Sequence, residues 1–129
     1  MPVPLFVYGT LSSQSAGKRH RLLRKARCVA KASMVGELYD LGRYPGVVRN
    51  GRTRRRVFGE LYELPDVALP RALEELDRYE GPEFARKRVY LTLGDGSRRV
   101  AWAYLLRKRP PKGARELISG RYRAANGAA

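Results

Sequence analysis

Apolar and polar positions along this chain change period several times, and each change marks an element. Val3 to Tyr8 is almost continuously apolar between Pro2 and Gly9, the pattern of a short buried strand. Ser12 to Gly17 is small and polar, a loop, and Lys18 to Ala26 sets Leu22 and Leu23 among basic residues. That mixture predicts a short amphipathic helix. Cys28 to Leu41 alternates loosely through Val29, Val35, Leu38 and Leu41, with Gly36 permitting a bend or bulge. Gly42 to Gly46 is a turn cluster, followed by a brief extended Val47-Val48. Asn50-Gly51 is a hairpin signal, which puts the arginine run up to Arg56 on an exposed tip.

The clearest alternation runs from Val57 to Leu64. Val57, Gly59, Leu61 and Glu63 share one face, and Phe58, Glu60, Tyr62 and Leu64 the other. Apolar groups on both faces predict a strand of a closed or well-covered sheet. Pro65-Asp66 then opens a helix with Asp66 as its N-cap. Leu69, Ala72, Leu73, Leu76 and Tyr79 form its inward stripe, and Gly81-Pro82 ends it. Val89 to Leu93 and Val100 to Leu106 are strands joined at Gly94-Asp95-Gly96, and a short segment follows at Glu116 to Gly120. Hairpins outnumber βαβ units, so the pattern predicts an α+β fold: a small, mostly antiparallel β-barrel with two or three flanking short helices.

Length and composition narrow this further. The 129 residues, 43% of them apolar, suit a single domain over 1–124 with a frayed tail at 125–129. The mean hydropathy of −0.49 and the lack of any apolar run near the roughly 20 residues of a spanning helix predict no membrane residence. No basic leader precedes the first strand, and Cys28 is a lone cysteine that excludes an internal disulfide. A cytoplasmic location is expected. The charge is less ordinary: 27 Lys+Arg against 12 Asp+Glu, a net +15. Such a field attracts polyanions, so nucleic acid enters as a partner. The positives are spread in short clusters, and these clusters contain no aromatic for base stacking. Solvated decoration is therefore the favoured reading of the charge.

Candidate chemistry gathers at two places. The loop Tyr8-Gly9-Thr10-Leu11 follows a buried strand, so its backbone N–H groups can face an anion. Alternatively, Gly9 only lets the strand turn. Glu80 ends the second helix, where free carbonyls repel negative charge and burial would raise a carboxyl pKa. That suits a general base. Read alone, Glu80 fits better as a surface carboxylate beside Arg78 or Arg86, and Glu83 is the second choice for the base. Ser12, Ser13 and Ser15 lack a nucleophile setting, His20 is the only histidine, and no metal site or cofactor is expected.

Val7-Tyr8-Gly9-Thr10-Leu11 and Leu76-Asp77-Arg78-Tyr79-Glu80-Gly81 resemble motifs of the γ-glutamylcyclotransferase-like family. Leu38-Tyr39, Tyr44 to Val48, Val57 to Tyr62, Ala101 to Tyr104 and Ile118-Ser119-Gly120 match in the same order, covering about 3–122. The resemblance implies a six-stranded barrel, a cavity at the Tyr8 to Leu11 loop, and Glu80 as the acid–base residue. It implies a small γ-glutamyl substrate, cyclised to 5-oxoproline with release of an amine, and no cofactor. Tyr44 and Arg86 are expected to line the cavity with Tyr8, Gly9, Thr10 and Leu11. One departure stands out: where the family has Tyr-x-Arg after Glu-Gly, this chain has Phe84-Ala85-Arg86. Two other readings of the same fold remain, a basic nucleic-acid-binding protein and a non-catalytic domain that binds small carboxylates. A monomer or small homo-oligomer is expected.

Overall fold

The computed structural model describes residues 3–8, 26–42, 44–64 and 69–122. Eight strands and one helix are found there: β1 Val3–Val7, β2 Arg27–Val35, β3 Glu37–Asp40, β4 Pro45–Val48, β5 Arg56–Leu64, α1 Leu69–Glu80, β6 Phe84–Leu93, β7 Arg98–Leu106 and β8 Arg115–Glu116. Five strands close a barrel in the order β1-β5-β2-β6-β7, and β4-β3-β8 form a separate three-stranded sheet. Antiparallel pairs build the barrel except where β7 meets β1 in parallel, with Leu5 opposite Trp102. Among the described residues, no helix is long and apolar enough to cross a membrane.

Strand residues point alternately to opposite faces, and the buried side chains separate into two clusters on that rule. Phe6, Met34, Val57, Leu61, Val89, Leu91, Ala101 and Ala103 fill the barrel, joined by Leu38 and Val47 of the small sheet. Leu5, Val7, Tyr62, Leu64, Phe84 and Tyr104 point outward and pack with Leu76 of α1. This explains the unbroken apolar run of β1: Phe6 belongs to one cluster, Leu5 and Val7 to the other. Of the predicted helix stripe, Leu76 is fully buried and Leu73 half-buried. Burying a leucine contributes about 1.5–3 kcal/mol.

The helix stops as predicted. Gly81 takes φ +89° and its N–H donates to the Asp77 carbonyl at 3.1 Å, a left-handed cap that a residue with a Cβ adopts at a cost. Gly59 serves differently. A Cβ there would stand 2.2 Å from the Val7 carbonyl oxygen, so only glycine lets the end of β1 pass so near β5.

Three expectations are corrected. The barrel has five strands rather than six, because the run from Cys28 to Leu41 divides at Gly36. Its first part is β2 of the barrel, and its second is β3 of the small sheet. Asn50-Gly51 makes an exposed turn, with Thr53 N–H donating to the Asn50 carbonyl at 3.3 Å, but not a hairpin. It joins β4 of the small sheet to β5 of the barrel, which do not pair with each other. Strand β6 begins at Phe84, five residues before Val89, since the cations Arg86, Lys87 and Arg88, the last two exposed, mask the apolar signal. One helix lies among the described residues. The helix expected over 18–26, all but Ala26, falls outside them, as do the expected helix start at Pro65-Asp66 and the tail 125–129.

Candidate active site at the junction of β1, β7 and the end of α1

Strand β1 delivers Tyr8 to the rim of the barrel. Its ring packs beside Phe6, centroids 6.1 Å apart, and its hydroxyl donates to the Tyr104 carbonyl in β7. The side chain of Tyr104 points to the opposite face, where its hydroxyl donates to Asp77 Oδ1 at 2.6 Å. Asp77 also accepts from Arg86 Nε and Nη2 at 3.0 and 3.2 Å. The Arg86 guanidinium in turn lies 4.9 Å from the centre of the Trp102 ring, a cation–π distance. One chain of contacts thus runs from the end of β1 through β7 to the last turn of α1.

Glu80 closes that turn. It is half-buried, and its Oε2 atom is shielded from solvent. Burial holds the Tyr104 hydroxyl far above the ordinary tyrosine range, the Asp77 hydrogen bond and charge add to this, Arg86 opposes it, and Glu80 adds to it. Glu80 therefore lies within electrostatic reach of Tyr104. An open cleft of about 570 Å³ is lined by Asp77, Gly81, Phe84, Arg86 and Tyr104, with Arg78, Lys87 and Arg107 adding positive charge. Its chemistry suits a ligand bearing a carboxylate.

The family model described as "Gamma-glutamyl cyclotransferase, AIG2-like" matches residues 5–124. The chain belongs to this family. A relative, the γ-glutamylcyclotransferase family protein YtfP of Escherichia coli K12, is 34% identical over 119 residues, 90% of this chain and 92% of that one. YkqA of Bacillus subtilis, of known structure, superposes with a TM-score of 0.74 at 27% identity, covering 95% of this chain and 40% of that longer one. The mouse AIG2-like protein superposes with a TM-score of 0.75 at 17% identity, covering 95% of this chain and 88% of that one. That last likeness is one of fold.

Within this γ-glutamylcyclotransferase-family chain, the expected site residues fare differently. Tyr8 touches the Tyr104 main chain on one face of β7 and Glu80 acts on the Tyr104 hydroxyl on the other, and neither lines the cleft, while Gly9, Thr10 and Leu11 lie outside the described residues. The Tyr8 hydroxyl is engaged by β7, so its contact with a ligand would run through the main chain. Arg86 lines the cleft but is also held by Asp77 and Trp102. Tyr44 packs edge-on against Phe84, ring centroids 5.8 Å apart, and its hydroxyl donates to Glu83 Oε1. Glu83 thereby has a structural partner, and its carbonyl accepts from Arg107 N–H at 2.9 Å. Phe84 is 7% exposed, buried where the family tyrosine is expected.

Two members of the junction escaped the sequence reading. They are Asp77 and Tyr104, joined by the 2.6 Å hydrogen bond. The signal for Tyr104 was its hydroxyl, since a buried tyrosine on an apolar strand needs a hydrogen-bond partner. The signal for Asp77 was its place three residues before Glu80, on the same side of the helix. Cys28 lies elsewhere, exposed, with Sγ 3.9 Å from Glu60 Oε2. Burial, and then the charge of Glu60, push its thiol up, which makes it a poor nucleophile. Among the described residues, no three His, Cys, Asp or Glu side chains converge to hold a metal ion.

Proposed function

We propose that this chain cyclises a small γ-glutamyl compound, releasing 5-oxoproline and a free amine. The substrate carries its own nucleophile, so the protein supplies three things: a folded substrate, a base and an oxyanion site. Because the nucleophile is already tethered, presetting the five-membered ring saves only the entropy of the internal rotations it freezes. Glu80 takes a proton from the α-ammonium, and the freed amine attacks the γ-carbonyl carbon. Backbone N–H groups along Tyr8, Gly9, Thr10 and Leu11 hold the oxyanion that forms. As the C–N bond to the leaving group breaks, Glu80 gives its proton to the departing amine and, a carboxylate again, takes the second proton from the ring nitrogen, which becomes the lactam N–H. Arg86 lends positive charge to the substrate carboxylate, and Tyr44 buttresses Phe84.

One observation carries this reading. Tyr8, which leads into the loop, donates to the Tyr104 carbonyl on one face of β7, and Asp77, one turn before Glu80, accepts from the Tyr104 hydroxyl on the other, so Tyr104 links the end of β1 to the end of α1. The test is 5-oxoproline release from a panel of γ-glutamyl dipeptides and amines. Glu80→Gln should lower kcat on the order of 10²–10⁴-fold while the fold, read by Trp102 fluorescence, is retained. A wild-type rate in that variant refutes the assignment. Phe84→Tyr should reorder the preference among amines, and an unchanged ranking removes Phe84 from substrate selection.

A further inference from the structure

The net charge of +15 far exceeds what a small γ-glutamyl substrate requires. Along the chain its basic clusters stand without aromatics, but strand pairing changes their company. Across β6 and β7, Arg88 pairs with Trp102, Tyr90 with Val100, and Thr92 with Arg98. Alternate residues share a face, so Arg86, Arg88 and Tyr90 lie beside Arg98, Val100 and Trp102 on the outside of the barrel. The Phe84 and Tyr104 end of that face packs with Leu76 of α1. At the other end Tyr90 is 80% exposed and Val100 45%. The guanidinium carbons of Arg86 and Arg88 lie 4.9 and 5.0 Å from the Trp102 ring centre.

The cations continue around the edge of β6 onto its other face, where Lys87 stands opposite Ala103 of the barrel cluster. Arg49 Nη2 donates to the Arg88 carbonyl at 2.8 Å, and a cleft of about 500 Å³ beside it is lined by Arg49, Lys87, Arg107, Lys108 and Arg109. No carboxylate is among the described residues lining that cleft. Nor, among the described residues, does any carboxylate pair with Arg49, Lys87, Arg88 or Arg107. Like charges this dense repel one another, which opposes folding until an anion neutralises them. A free phosphate would leave Tyr90 idle. A duplex would too, since its bases are stacked inside. A flexible strand with a phosphate at every step and unstacked bases uses both features.

We propose that the outer face and edge of β6 bind single-stranded nucleic acid without sequence preference, Arg49, Lys87, Arg88 and Arg107 holding phosphates and Tyr90 stacking a base. This surface shares Lys87 and Arg107 with the candidate active-site cleft, whereas Arg49, Arg88 and Tyr90 lie outside that cleft. The probe is a fluorescein-labelled single strand of about 20 nucleotides, titrated with the full chain by fluorescence anisotropy at salt from roughly 50 to 200 mM. Four phosphate contacts predict a log–log salt slope of about −3. Tyr90→Ala should weaken binding on the order of tenfold with the slope unchanged, and 5-oxoproline release should stay at its wild-type level. Lys87→Ala should make the slope shallower by about 0.7. The proposal fails if the strand shows no saturable binding at the lowest salt, or if Tyr90→Ala binds as wild type. It fails equally if a duplex binds as tightly as the single strand. Capture by phosphatidylserine vesicles with no affinity for the oligonucleotide would assign the surface to a membrane and overturn it as well.

Discussion

Removing the Asp77 carboxylate tests the junction most directly. In Asp77→Ala the Tyr104 hydroxyl, on a residue 4% exposed, loses the acceptor that now sits 2.6 Å away. A buried hydroxyl left unsatisfied costs about 1–3 kcal/mol. The Arg86 pair adds little, since its side chains are 25% and 44% exposed and solvent-screened pairs contribute at most about 1 kcal/mol. Alanine recovers a few tenths of a kcal/mol in helix propensity, roughly 0.5. The net loss is about 2 kcal/mol. With a urea dependence of about 1–3 kcal/mol per molar, the unfolding midpoint should fall by about 1 M. Trp102, the only tryptophan, is half-buried beside Arg86 and reports the transition by fluorescence. Adding Tyr104→Phe to Asp77→Ala removes the stranded hydroxyl, so the double variant should be no less stable than Asp77→Ala. The resulting coupling energy should be about 1–2 kcal/mol. A midpoint for Asp77→Ala that matches wild type, or costs that simply add, would refute the network.

Two further outcomes follow from the same packing. Gly59→Ala would put a Cβ 2.2 Å from the Val7 carbonyl oxygen and 3.0 Å from Phe6 Cε1, contacts relieved only by moving β1. A loss of about 3 kcal/mol is expected, and a melting temperature lowered by roughly 10 °C in calorimetry; an unshifted melt would contradict the close approach. The Tyr104 hydroxyl titrates above its unfolded value of about 10. Its contribution is therefore complete below that pH and is lost as pH rises past it, because the unfolded chain ionises first. Urea midpoints at about pH 9 and pH 11 should diverge more for wild type than for Tyr104→Phe, and equal losses would show that Tyr104 is not the group responsible.

Local chemistry made part of this protein legible from its residues. The apolar run of β1, the two-faced alternation of β5 and the glycine stop of α1 depend on neighbours a few positions apart, where side-chain period and backbone preference act directly. The motifs around Tyr8 and Glu80 were visible for the same reason. What tertiary structure alone decided is pairing between distant segments. Gly36 looked like a bend in one strand, but long-range packing sends its two sides to different sheets. Arg86, Lys87 and Arg88 hid the start of β6 because a polar stretch carries little apolar signal, and only its pairing with β7 reveals the strand. Asp77 and Tyr104 stand 27 residues apart, and Tyr8 and Tyr104 96. Such contacts arise from the register in which whole faces bury together, a sum over many side chains that no single motif encodes. The same register sets Tyr90 among arginines, turning scattered charge into one surface.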